Sequence, residues 1–168
     1  MRRYSYDRRV ALIEDGESRG RMDVYRPGAT RHHAYDIEKV ACGLLGEVGD
    51  FKVYTVDGDY VRTVVDIDFT MAGNPGRYSY VPEGSVWVED ALPLADAIPT
   101  VLHEVVECHL MQRDGIDYNH AHDLASEQEL KLRGYMEGHA FAFKELEPLL
   151  SLAYRAALRE HKRLTGEV

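Results

Sequence analysis

Cysteine is scarce in this chain: Cys42 and Cys108 are the only two among 168 residues. Two cysteines build no disulfide framework, so the fold must rest on an apolar core, and a reduced interior suits both thiols. Cys108 reads as a small core residue and not as a nucleophile. No run of eighteen apolar residues occurs, which excludes an ordinary membrane-spanning helix. The opening arginines are followed by no apolar segment, so no secretory leader is expected and a soluble, cytoplasmic protein is the expectation. Basic side chains are the minority, 20 Lys and Arg against 29 Asp and Glu, for a formal net charge of −9. The deficit is local: residues 1–35 hold eight Arg and five acids, residues 36–117 five basic and sixteen acidic side chains. Phosphate contacts supply most nucleic-acid affinity, so an acidic middle disfavours nucleic acid as the partner.

What is present fits one α+β domain: a small antiparallel sheet followed by a helical half. Residues 1–35 form a polar, Arg-rich segment with a short strand expected at Val10–Ile13, and residues 36–168 form the domain. Asp36 to Leu45 reads as a short helix capped by Asp36 and stopped by Gly46. Phe51–Val56 and Tyr60–Thr70 are β-rich runs, and Asp57-Gly58 between them suits a hairpin turn. Asn74-Pro75-Gly76 marks a turn, with short strands expected at Tyr78–Val81 and Ser85–Glu89. From Pro93 the period becomes helical. Helices are expected over about 96–113 with Asp96 as cap and Pro99 in the first turn, over 118–133, and over 138–163 with a break at Pro148.

The segment TVLHEVVECHLM, Thr100 to Met111, carries the chemistry. His103 and Glu107 are four residues apart and share one helix face, with Glu104 beside them. This is the spacing of the His-Glu-x-x-His zinc helix, with Glu in place of the second His. Two helices joined by the short loop at Gly115 run antiparallel, which brings His122 level with Glu107. His103, Glu107 and His122 are therefore the expected metal ligands and Glu104 the general base for a metal-bound water. Zinc suits imidazole and carboxylate, and the extra carboxylate admits manganese or another divalent metal. On the second helix, Ala121, Leu124, Ala125, Gln128, Leu132 and Tyr135 trace a core stripe, with His122, Ser126, Glu129 and Arg133 beside it. Glu129 or Glu127 is the candidate supporting partner or replacement ligand. Tyr118 or His120 is the candidate stabiliser of an oxyanion.

VLHEVVE, followed by YNHAHDLASEQE and preceded by SVWVED, resembles the small single-domain zincin-like metallopeptidases over residues 78–133. The resemblance implies that His103 is a ligand, Glu104 the base and Ser85–Asp90 the edge strand that holds an extended peptide. It implies a metal-dependent peptidase with a peptide or protein substrate. It does not supply Glu107, where the family has His, and His122 is placed by spacing alone.

Other readings use the same residues differently. Asp66 and Asp68 in VVDIDFT match an Asp-x-Asp-x-Thr phosphatase string, but two Asp alternating with Val65, Ile67 and Phe69 describe the solvent face of a strand equally well. His122-Asp123 could belong to a metal-dependent phosphohydrolase, which normally adds a later Asp; none follows Asp123. A non-catalytic binding or assembly protein with a structural or vestigial metal site is the third alternative. The apolar residues of the last helix, Leu146 to Leu164, would then serve a partner or a second copy in a homo-oligomer.

Overall fold

A computed structural model describes residues 40–139 and 141–166. The strand expected at Val10–Ile13, Asp36 with the start of its helix, and His32-His33 lie outside the described residues. The first two strands, β1 (Ala41–Val48) and β2 (Phe51–Val56), pair antiparallel. β1 corrects the helix expected over Asp36–Leu45. Gly43 and Gly46 are poor helix formers, and the register slips beside each of them, between Ala41 and Gly43 and between Leu44 and Gly46. Gly46 also lies against the Phe143 ring, where a Cβ would stand 2.5 Å from Cε1. Pairing with β2 thus outweighs the weak helical period.

The second correction follows at once. Asp57-Gly58 is no hairpin turn: Asp57 Oδ1 accepts the Tyr60 amide at 2.9 Å and caps a short helix, α1 (Gly58–Tyr60). A π-helical turn over Val61–Val65 continues it, closed by Asp66 N–H on Val61 C=O at 2.9 Å. The β-branched run Tyr60–Thr70 is therefore helical and then turning, held to the sheet by Arg62, which pairs with Asp59 at 3.1 Å and Glu89 at 2.7 Å. A cap and an anchored cation override β-propensity, which is itself strongly dependent on context. Asp66 and Asp68 consequently sit in a turn and not at the end of a strand, which removes the placement the phosphatase string requires. Tyr78–Val81 is also turn, closed by Tyr78 N–H on Asn74 C=O at 2.9 Å and Val81 N–H on Tyr78 C=O at 2.9 Å.

Two further strands, β3 (Ala72–Gly73) and β4 (Ser85–Glu89), complete a sheet ordered β1-β2-β4-β3. It is mixed and not purely antiparallel: β4 runs parallel to β2 and antiparallel to β3. The helical excursion between β2 and β4 makes this possible, because a parallel pair needs a crossover where a tight hairpin cannot serve. β4 is buried on both faces, and its alternation sorts the core. Val86 and Val88 join the cluster shared with the helices, while Trp87 joins Phe69, Tyr78 and Tyr80 on the other face.

The helical half holds α2 (Leu94–Asp114), α3 (Tyr118–Met136), a 3-10 turn over Phe143–Glu145 and α4 (Leu146–Thr165). Pro93, not Asp96, occupies the cap position of α2, and Pro99 lies in its second turn. Asp96 instead pairs with Arg133 at 2.8 Å. α4 begins later than position 138, and Pro148 sits in its first turn, where the missing N–H costs nothing. Val101, Leu102, Val105 and Val106 of α2 are buried with Val53, Val86 and Val88 of the sheet. Each such side chain contributes roughly 1.5–3 kcal/mol relative to exposure. α2 is therefore fixed on one side by the sheet and on the other by α3.

Candidate metal centre

The turn between α2 and α3 sets the site. Gly115 adopts φ 68°, a left-handed conformation that ends α2, with its N–H on Leu110 C=O. Ile116 is buried, and Asp117 Oδ1 accepts the His120 amide at 3.2 Å to start α3. So short a connection makes the helices antiparallel neighbours, and Ala121, Leu124, Ala125, Gln128 and Leu132 form the buried stripe. Tyr135, expected on that stripe, is 65% exposed, because α3 by then has run past the body of the core.

His103, Glu107 and His122 come together. His103 Nε2 is 3.1 Å from His122 Nδ1, His122 Nδ1 is 2.9 Å from Glu107 Oε2, and His103 Nε2 is 3.4 Å from Glu107 Oε2. Ligand atoms around a tetrahedral ion at roughly 2.0–2.1 Å stand about 3.3 Å apart, so the triangle has the dimensions of such a site. These three residues could hold a metal ion, and they are the one such group among the described residues. The site is closed at the back and open at the front. The His103 and Glu107 side chains are 7% and 2% exposed, the His122 side chain 45%.

Each ligand is held from behind. Glu129 Oε2 lies 3.0 Å from His103 Nδ1, and Arg133 fixes the other Glu129 oxygen at 3.0 and 2.8 Å. A carboxylate on the far ring nitrogen fixes the tautomer that leaves Nε2 for a metal. Asn74, fully buried, donates to Glu107 Oε1 and to Glu104 Oε2, both at 2.8 Å. Glu104 is partly buried and shares this amide with Glu107, as expected of a group lying beside the metal position and not on it. Tyr118 stacks at 5.6 Å from the His122 ring, with the Arg77 guanidinium 4.5 Å from the Tyr118 ring centre.

The charges in the cluster compensate one another. Burial alone would lower the His103 pKa, but Glu107, Glu129 and Glu104 together push it up to about 10. Burial likewise opposes ionisation of Glu107, yet His103, Asn74 and His122 hold it below the usual carboxylate range. Glu104 moves the other way: burial and the Glu107 charge raise it, outweighing His103 and Asn74. The arrangement is a buried imidazolium among three carboxylates, a place where a divalent cation replaces a proton.

Not every expected residue joins. Glu127 pairs with Lys131 at 2.8 Å on the exposed side of α3. His120 packs its ring 4.8 Å from that of His161 on α4, because two residues from His122 is roughly 200° round the helix. Asp123 is exposed, so the His-Asp phosphohydrolase arrangement is not assembled. β4 has a partner on either side, so Ser85–Asp90 is not an edge strand. Asn74 was legible only as a turn residue. Its burial against two glutamates thirty and more positions away leaves no local sequence signal. Compared with known proteins, the chain matches no family model, no curated protein and no solved structure.

Proposed function

We propose that this protein is a metal-dependent hydrolase of zincin-like type, acting on a peptide or related amide bond, with His103, Glu107 and His122 as ligands. The observation that carries the reading is the meeting of three ligand atoms within 3.4 Å, beside a fourth, non-ligating carboxylate on the same helix. Zinc fits the imidazole and carboxylate donors best, with manganese as the alternative. When bound, such an ion lowers the pKa of a coordinated water to about 7. Glu104 is the group placed to collect the proton, since Asn74 holds one of its oxygens and leaves the other for the water. Tyr118 stands at the open, His122 side, where a developing oxyanion would face it.

The test is metal analysis and peptide hydrolysis on the same preparations. Wild-type protein is expected to take up one equivalent of zinc and His103→Ala to lose it. Glu104→Gln is expected to retain the metal and to lose about 100-fold or more of the hydrolysis rate. A wild-type protein that takes up neither zinc nor manganese rejects the site. The near-complete burial of His103 and Glu107 favours, as a second reading, a structural ion in a binding or assembly protein. That reading gains if Glu104→Gln binds metal and hydrolysis is absent from both proteins.

A further inference from the structure

Asn74 lies at the end of β3, and its amide has only one workable orientation. Its Oδ1 accepts Gly76 N–H at 2.9 Å and Arg77 N–H at 3.1 Å, so Nδ2 must face the two glutamates. The two amide hydrogens then divide between Glu104 Oε2 and Glu107 Oε1. Glu107 is left with one free oxygen, Oε2, and that is the atom beside His122 Nδ1 and His103 Nε2.

Resting on the metal-site reading above, we propose that Asn74 is a positioning residue that keeps Glu107 a one-oxygen ligand and holds a coordination position open for water beside Glu104. A carboxylate free to rotate can offer both oxygens to an ion, and the second would fill the position water needs. Such a turn of Glu107 breaks its bond to Asn74 and strands a donor with no exposed surface, which opposes it. The same amide holds the other carboxylate, Glu104, so one group on the sheet side sets which glutamate of α2 binds and which remains free. Sequence spacing treats Glu104 and Glu107 alike as acids on one helix; Asn74 distinguishes them.

The experiment is X-ray absorption on zinc-loaded wild-type, Asn74→Ala and Asn74→Asp proteins, with visible spectra of the cobalt-loaded forms and thermal melts of all three. Asn74→Asp keeps an oxygen for the Gly76 and Arg77 amides and lacks only the donor, so it separates the loop from the ligand. Wild type is expected to show three single-atom protein ligands and a water. Both variants are expected to gain a zinc–oxygen contact, to weaken the cobalt d–d bands, and to lose about ten- to a hundred-fold in metal affinity or hydrolysis. Lower melting temperatures with unchanged metal spectra would show a loop role alone and overturn the proposal. So would two Glu107 oxygens on zinc in the wild type, which decides the matter even if neither variant folds. Wild type binding neither metal removes the site itself, a result distinct from either.

Discussion

Glu129 reaches His103 from the side opposite the expected metal, and its own position depends on a relay of charges. One oxygen lies 3.0 Å from His103 Nδ1, the other is held by Arg133, and Arg133 reaches Asp96 at the start of α2. The carboxylate thus does two things to the ring: it fixes the proton on Nδ1, and it makes Nε2 a stronger donor. Replacing it with an amide keeps the size and removes the charge, so the ring becomes a weaker ligand and its orientation is less tightly held. Glu129→Gln is expected to lower zinc affinity about ten- to a hundred-fold, read by competition with a chromophoric chelator. Because the Glu129 side chain is 21% exposed, the same change should alter stability of the metal-free protein little. Equal affinities for the variant and wild type would mean that Glu129 is an ordinary surface partner of Arg133.

Among the elements, the α2–α3 hairpin determines whether a site exists, and Gly115 determines the hairpin. Its φ of 68° is costly for a residue with a side chain, while a Cβ there would meet nothing within 4 Å. Gly115→Ala therefore isolates the backbone term and is expected to cost about 1–2 kcal/mol in urea unfolding. Gly115→Asn should cost less, because Asn tolerates the left-handed region; equal stability of Ala and Gly at this position would show that the turn relaxes freely. The same hairpin explains what could be read in advance. Helical spacing and a short loop are local facts, so His103, Glu107, His122 and the stripe from Ala121 to Leu132 follow from the order of residues alone. Asn74 does not, because its meaning lies in a contact across the core. Tyr60–Thr70 misled for a related reason: its β-branched residues signal a strand, but the Asp57 cap and the Arg62–Glu89 pair act outside the run. Gly43 and Gly46 misled in the opposite direction, since only pairing with β2 shows that they mark irregular strand positions.

At the scale of the whole molecule, the site joins the two halves of the fold through charge as well as packing. The sheet contributes Asn74, α2 contributes His103, Glu104 and Glu107, and α3 contributes His122 and Glu129. An unfolded chain does not hold these atoms together, so a metal that binds them binds the folded state and stabilises it by mass action. The chain carries a net charge of −9, and a divalent cation at this point relieves part of the repulsion among buried carboxylates that only the His103 imidazolium otherwise offsets. At free zinc a hundredfold above its dissociation constant, the added stability is about 2.7 kcal/mol. For a domain of this size each kcal/mol moves the midpoint by roughly 2–4 °C, so the thermal midpoint should rise by about 5–10 °C. Melts recorded against increasing free zinc are expected to climb with the logarithm of its concentration and to fall back on adding a chelator. His122→Ala should flatten the dependence, since it removes the one ligand that ties α3 to α2 while leaving the buried faces of both helices intact. A midpoint that rises equally in the His122→Ala protein would place the stabilising ion elsewhere on the acidic surface.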